Sequence, residues 1–310
     1  MRINCVQHGI RIGSYALQGG LILKELTGIG IRLLTVFGNL FQQSLKARPR
    51  VEYVSEYFFR PVAHLCVLLL LPLRVPPTWL VVFHSCLGVL AGGLIAGGEL
   101  IWAAALIQVK TVLDNADGQL ARASNMVSET GRYLDTEGDF IVNAALFAGL
   151  GALTGQWILA LLAFAVFTLL LSTDFNWEYL YRTERGEGFR AAPDSSRENK
   201  KVLRGLQRFY EIVFKPQDLW IRRVAETRFA ALYARCPNEH ARAAARLAYH
   251  DADSLLVLAN LELSTQLLIL GVCLVLGAPA VFLWFVLLCG AAVVVLQLRR
   301  EARAAAVLRG

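Results

Sequence analysis

The chain has 310 residues, of which 56% are hydrophobic and only 18% are charged, and its mean hydropathy is +0.49. Soluble domains carry about 25% charged residues, so this composition excludes an ordinary soluble enzyme and predicts a membrane protein. The formal net charge is +7, and the positions of the basic residues are more informative than their total.

The first predicted element is an amphipathic helix over 21–45, within an N-terminal extension that covers residues 1–54. Charged residues interrupt its apolar run, which favours a helix lying in the membrane interface; a further membrane span is the alternative. A second interfacial helix is predicted over 55–73, because Pro76 and Pro77 then break the chain.

Six later segments are apolar over about 20 residues, the length that crosses a bilayer. They cover 78–97, 100–122, 132–153, 157–181, 254–276 and 279–298. Three of their connections are short and lack Lys and Arg, whereas the others and both chain ends are basic. The positive-inside rule assigns basic segments to the cytoplasm. We therefore expect an all-α integral membrane protein with six transmembrane helices, and both termini and the site on the cytoplasmic side.

Two basic segments lie outside these spans, an insert over 183–250 and a tail over 301–310. The insert holds fourteen Lys or Arg and eight Asp or Glu, and its apolar residues recur at helical spacing. This pattern predicts amphipathic helices against an anionic membrane surface, so membrane lipids are expected partners. No nucleic-acid recognition motif accompanies the basic residues, and nucleic acid is not an expected partner.

Four aspartates lie at the facing ends of the second and third predicted spans, where a carboxylate costs roughly 2.5–3.5 kcal/mol on insertion scales. They are Asp114, Asp117, Asp135 and Asp139. At about 100° per residue each pair shares one helix face. The short connection lets the helices run antiparallel, so the four carboxylates are predicted to converge. Oxygen ligands of this kind select Mg²⁺, Mn²⁺ or Ca²⁺.

Small residues and an arginine share the same helix faces. Gly118, Ala121 and Gly131 leave room for a bulky ligand, and Arg122 offers a planar guanidinium suited to phosphate. Together with metal ligands, these features favour phosphoryl transfer on a pyrophosphate-containing substrate. The alternative is structural, with the aspartates paired to Arg122 and Arg132, although two arginines cannot neutralise four carboxylates.

The spacing of these residues resembles the signature of the CDP-alcohol phosphatidyltransferase family. The matching positions are Asp114-x2-Asp117-Gly118-x2-Ala121-Arg122-x8-Gly131-x3-Asp135-x3-Asp139. The resemblance implies a membrane domain, here over 55–300, that cleaves a CDP-linked pyrophosphate and releases CMP. It also implies a homodimer.

The resemblance further implies a role for each residue. All four aspartates would ligate two divalent cations, Mg²⁺ or Mn²⁺, and Asp139, acting with Asp135, would be the general base toward the acceptor hydroxyl. The CDP site would be formed by Asp114, Asp117, Gly118, Ala121, Arg122, Gly131 and Asp135.

The function expected from this resemblance is phospholipid biosynthesis, in which a phosphatidyl group passes from CDP-diacylglycerol to a small hydroxyl acceptor. One alternative is an enzyme that transfers a phosphoalcohol from a soluble CDP-alcohol to diacylglycerol. Two non-enzymatic alternatives are a cation transporter that uses the aspartates as its ion site and an inactive lipid-binding scaffold.

Candidates for the acceptor site are polar residues near the ends of the fourth and fifth spans, where helix–helix hydrogen bonds are the alternative role. They are Asp174, Asn176, Glu178, Asn260 and Glu262. Basic residues at 182, 185, 200, 201 and 204 could bind a phosphorylated acceptor or lipid phosphates. Asp253 is expected to cap the fifth span.

Overall fold

The computed structural model describes residues 49–188, 198–234 and 238–309, and every regular element in these ranges is helical. A π-helical turn, Ser55–Phe59, leads directly into the first α-helix. The α-helices in chain order are α1 Arg60–Leu70, α2 Pro77–Ala96, α3 Leu100–Ala123, α4 Glu129–Thr154, α5 Trp157–Glu184, α6 Lys200–Val213, α7 Lys215–Tyr233, α8 Glu239–Tyr249, α9 Ala252–Ala259, α10 Leu263–Val275 and α11 Pro279–Arg309. The helix predicted over 21–45 lies outside the described residues.

Four stretches of helix are long and apolar enough to cross a membrane. Three of them are α2 (Pro77–Ala96), α5 (Trp157–Glu184) and α11 (Pro279–Arg309). The fourth, Glu239–Val275, comprises α8, α9 and α10. Helices α3 and α4 have 24 and 26 residues, but the charged residues of the signature lower their hydropathy. Helices α2 to α5 match the first four predicted spans to within three residues at either end. The described residues therefore confirm the all-α prediction and contain four candidate membrane spans, while the number six stays a prediction.

The fifth predicted span, 254–276, is not one continuous helix. Helix α9 ends at Ala259 and α10 begins at Leu263. At the break, the Asn260 side chain donates to the Val51 carbonyl (3.0 Å) and accepts from the Tyr53 N–H (2.8 Å). These bonds fasten the start of the described chain to the break.

The predicted cap of the fifth span was wrong. The residue that caps α9 is Asp251, whose carboxylate accepts from the backbone N–H groups of Asp253 and Ser254. The Asp253 carboxylate instead accepts a hydrogen bond from Arg303 at 2.8 Å. Helix α11 continues unbroken through the basic tail to Arg309.

The signature helix α4 packs closely against α2 because both present glycine at the contact. A β-carbon added to Gly149 would lie 2.3 Å from the Gly92 carbonyl oxygen, and one added to Gly92 would lie 2.6 Å from that of Ala145. Small residues allow such backbone approach between helices in membranes. Apolar residues of α3, α5, α10 and α11 complete the same core. This packing fixes α4, and hence Asp135 and Asp139, beside α3.

Replacing Gly92 by alanine is expected to lower the melting temperature of the purified protein. The added methyl group meets backbone atoms of α4, which cannot rotate away, and such overpacking costs about 1–3 kcal/mol. The matched control is Gly93→Ala, since a β-carbon there meets nothing within 4 Å. Thermal unfolding in detergent compares the two, and equal melting temperatures would contradict the close contact.

Where the structure describes the insert, it folds as helices, as predicted, and its first helix packs on the signature helix α4. The rings of Phe209 and Phe214 lie 5.9 Å and 5.5 Å from that of Phe140, and Tyr210 lies 5.5 Å from Tyr133. The apolar face of α6 therefore covers protein. Whether its other face meets anionic lipid stays a prediction.

Candidate active site

A cavity of about 390 Å³ lies beside the last turns of α3 and the first half of α4. Asp114, Asp117, Asp135 and Asp139 all line it, so the predicted convergence of the four carboxylates is confirmed. Four acidic side chains in one cavity need polar partners, and these come from residues that the sequence reasoning did not single out.

The first of these partners is His84, which comes from α2 and is completely buried. Its Nε2 lies 2.7 Å from Asp117 Oδ2 and 4.0 Å from Asp114 Oδ1. The close packing of α2 on α4 brings this ring to the aspartates. His84 therefore joins the acidic site from the first predicted span.

The second partner is Lys110, whose side chain is 1% exposed. Its Nζ donates to Asp114 Oδ2 at 3.0 Å and to Asp139 Oδ1 at 2.5 Å. Lys110 thus links the two signature helices through one ammonium group. The structural alternative paired the aspartates with Arg122 and Arg132. Among the described residues, Asp114 and Asp139 instead form ion pairs with Lys110, and Asp117 contacts His84.

The residues present fit a divalent cation. One ligand atom each from His84, Asp114, Asp117 and Asp135 lies within 4.8 Å of all the others. Asp135 Oδ1 is buried and has no hydrogen-bond partner among the described residues. The three carboxylates suit Mn²⁺ or Mg²⁺, whereas the imidazole is a ligand typical of transition-metal ions. Asp139 stands outside this group, so its predicted role as a metal ligand stays a prediction.

The predicted nucleotide-binding residues divide into two sets. Gly118 and Arg122 line the cavity, and a β-carbon on Gly118 would lie 3.3 Å from Arg122 Nη1, so the guanidinium lies over the glycine. Ala121 and Gly131 are not among the described residues that line it. The Gly131 N–H donates to Ser128 Oγ at 3.0 Å, at the start of α4. Nucleotide contact by Ala121 and Gly131 stays a prediction.

One wall of the cavity comes from the segment that precedes the first predicted span. Ser55 donates to Asn115 Oδ1 at 3.0 Å, and the Gln119 side chain donates to the Arg60 carbonyl at 3.1 Å. Arg60, which also lines the cavity, is buried and forms ion pairs with Glu56 and Glu52. These contacts hold the segment against α3.

Another part of the cavity lining includes Tyr210 and Asp218 from the insert. Asp218 is 7% exposed and accepts from the Tyr210 hydroxyl (2.5 Å) and from Asn176 Nδ2 (2.7 Å). Arg222 in turn donates to Asn176 Oδ1 at 2.6 Å. Burial, together with the hydrogen bond to Asp218, raises the pKa of Tyr210, so the phenol stays protonated and remains a donor at neutral pH.

The candidate acceptor residues also divide between the cavity and the scaffold. Asp174, Glu178 and Glu262 line the cavity. Asn176 lies behind the wall, bonded to Asp218, and Asn260 fastens the helix break described above. The basic residues proposed for phosphate binding, at 182, 185, 200, 201 and 204, are not among the described lining residues.

Sequence reasoning missed His84 and Lys110 although a signal for each was present. Both are polar residues inside predicted spans, where an ionisable side chain is a functional candidate by default. Lys110 also precedes Asp114 by one helical turn, the spacing of an ion pair. Tyr210 and Asp218 had no such signal, because their position depends on how the insert packs.

The comparisons with known proteins concern the same part of the chain. A search of curated proteins finds no significant match. The family model described as CDP-alcohol phosphatidyltransferase matches residues 74–183, which include α2, α3, α4 and nearly all of α5. These helices supply His84, Lys110 and the four aspartates. The chain therefore contains a CDP-alcohol phosphatidyltransferase domain at residues 74–183.

Proposed function

We propose that the protein transfers a phosphatidyl group from CDP-diacylglycerol to a small hydroxyl acceptor and releases CMP. The family implies phospholipid synthesis by phosphatidyl transfer, and the proposal adds the donor and the direction. The observation that carries it is the convergence of all four signature aspartates, with Arg122, on one cavity.

Asp114, Asp117 and Asp135, with His84, would hold a first divalent cation, and Asp139 with Asp114 would take part in binding a second. When bound, the cations supply positive charge to the pyrophosphate and to the leaving CMP. Arg122, whose guanidinium lies over Gly118, offers a planar donor set to a phosphate at the same wall.

Asp139 is the proposed general base. Lys110 bonds to its Oδ1, which leaves Oδ2 free of hydrogen bonds among the described residues to accept the acceptor's proton. The hydroxyl oxygen then forms a bond to the phosphorus that carries diacylglycerol, and the bond from that phosphorus to CMP breaks. The proton stays on Asp139 until it passes to water, so the products are the new phospholipid and CMP.

The number of membrane spans and the side of the membrane on which the cavity lies are part of the same proposal. With α3 and α4 as spans in addition to the four apolar stretches, six helices cross the membrane and the cavity lies on the cytoplasmic side. The basic connections support this orientation through the positive-inside rule. A homodimer is proposed from the family alone.

The runner-up is an enzyme of the same family that uses a soluble CDP-alcohol and diacylglycerol. The donors of both reactions contain the CDP group that the signature residues would bind, so the donor must be tested directly. Purified protein with Mn²⁺ or Mg²⁺ is given labelled CDP-diacylglycerol and a panel of alcohols, and we expect a new labelled phospholipid together with CMP. Product formed only from CDP-choline or CDP-ethanolamine with diacylglycerol would overturn the proposed donor.

Replacing Tyr210 by phenylalanine is expected to raise the KM for the acceptor alcohol several-fold while kcat changes little. The substitution removes one of the two donors that hold Asp218 in the cavity wall, and a hydrogen bond to a charged group contributes about 1.5–3 kcal/mol. Tyr233→Phe is the control, since Tyr233 lies outside the cavity lining. An unchanged KM in Tyr210→Phe would show that the insert does not contribute to binding of the acceptor.

A further inference from the structure

The aspartate cluster carries its own cation. Lys110 is almost fully buried, and its ammonium bridges Asp114 and Asp139 at 3.0 Å and 2.5 Å. It extends from α3 one turn before Asp114, whereas Asp139 belongs to α4. The position between Asp114 and Asp139 is therefore filled by a positive charge of the chain itself.

The two sides of the cluster differ in how they are neutralised. On the side of His84, Asp117 and Asp135, ligand atoms converge and Asp135 Oδ1 has no hydrogen-bond partner among the described residues. On the side of Asp139, the ammonium fills the position between Asp139 Oδ1 and Asp114 Oδ2. A divalent cation can enter the first side without breaking the Lys110–Asp139 pair, but it cannot take the position between these two oxygens without displacing Lys110.

Displacing the lysine has an energetic cost. Separating a buried charge pair leaves an uncompensated charge, which is strongly unfavourable in a protein interior. A lysine side chain nevertheless has a flexible four-carbon stem and a compact charge, so it can swing aside when a doubly charged ion replaces it. The second ion must therefore bind more weakly than the first.

We propose that Lys110 is a placeholder for the second divalent cation: it holds Asp114 and Asp139 together until that ion displaces it, so the site fills in two unequal steps. Lys110 is in this account a positioning residue, acting on Asp139 and Asp114 rather than on substrate. The inference rests on the proposed two-cation centre.

The test is a titration of the purified full chain with Mn²⁺ in the absence of nucleotide. The electron paramagnetic resonance signal of free Mn²⁺ measures how much of the ion is bound. Wild type is expected to bind two ions, the second at least about tenfold more weakly than the first. Lys110→Met, which removes the competing charge, should tighten the second step by about tenfold and leave the first nearly unchanged. Lys110→Arg keeps the charge and should keep the second step weak. The control is Lys215→Met, an exposed lysine paired with Glu211 at the same helical spacing.

Each contrary outcome has a distinct meaning. Absence of Mn²⁺ binding by wild type would overturn both the metal centre and this inference. Two steps of equal affinity in wild type, or a second step that Lys110→Met does not tighten, would overturn the placeholder role alone. If Lys110→Met does not fold, the wild-type titration still decides, because equal steps contradict the inference without any variant.

Discussion

Replacing Asp139 by asparagine is expected to lower the rate of phospholipid formation by about 10²–10⁴-fold, the usual contribution of a general base. Asparagine keeps the shape of the side chain and can still accept a hydrogen bond from Lys110, but it cannot take the acceptor's proton. The measurement is kcat for labelled lipid product with purified protein under saturating donor.

The matched control for this substitution is Asp253→Asn. Asp253 is also an aspartate, but its side chain is 61% exposed and bonds to Arg303 away from the cavity. We expect the control to retain nearly the wild-type rate, because single exposed ion pairs contribute about 0–1 kcal/mol. An Asp139→Asn protein as active as this control would show that another group accepts the proton.

Replacing His84 by alanine is expected to weaken binding of the first Mn²⁺ by at least about tenfold and to reduce the reaction rate at limiting metal. The substitution removes one member of the four-residue metal group and also the partner of Asp117 at 2.7 Å. The Mn²⁺ titration measures the affinity, and the melting temperature shows whether the variant is folded.

The control for His84 is His240→Ala, because His240 is an exposed histidine on α8, outside the cavity lining. A folded His84→Ala protein that binds Mn²⁺ as tightly as the control would restrict the metal ligands to carboxylates. Excess Mn²⁺ should partly restore activity in His84→Ala, since the three aspartates of the group remain.

Much of the site was predictable from local spacing. The i,i+3 and i,i+4 intervals put each pair of aspartates on one helix face, and the short connection between α3 and α4 brought the two faces together. The small residues had a second role that spacing did not reveal: Gly131 serves the N-cap of α4, where its N–H donates to Ser128. Of these three small residues, Gly118 lines the cavity, with the Arg122 guanidinium over it.

The remaining parts of the site depend on contacts between distant segments. Asp218 reaches the cavity because aromatic residues of α6 pack on α4, and Ser55 reaches it through Asn115, sixty positions along the chain. The break between α9 and α10 falls at Asn260 and Glu262, two polar residues that interrupt the apolar run of the fifth predicted span. The Asn260 side chain forms hydrogen bonds there with backbone groups of residues 51 and 53. Residues 51 and 53 come close to Asn260 only in the folded chain.

Part of the cavity lining comes from outside the matched range 74–183. The matched helices carry the aspartates, His84 and Lys110, whereas Ser55, Tyr210 and Asp218 come from flanking segments. Chemistry common to the family would thus reside in the matched helices. Selection of the acceptor would depend on the flanking segments, which is why Tyr210→Phe should change KM rather than kcat.

The most direct measurement of the central claim is release of CMP from CDP-diacylglycerol by the purified protein, before and after removal of divalent cations. We predict that CMP appears only when an accepted alcohol and Mn²⁺ or Mg²⁺ are both present, in a one-to-one ratio with new phospholipid. A chelator should stop the reaction, and added metal should restore it, because the aspartates would then again hold their cations. CMP release that continues at the same rate in the chelator, or that yields no phospholipid, would contradict the account.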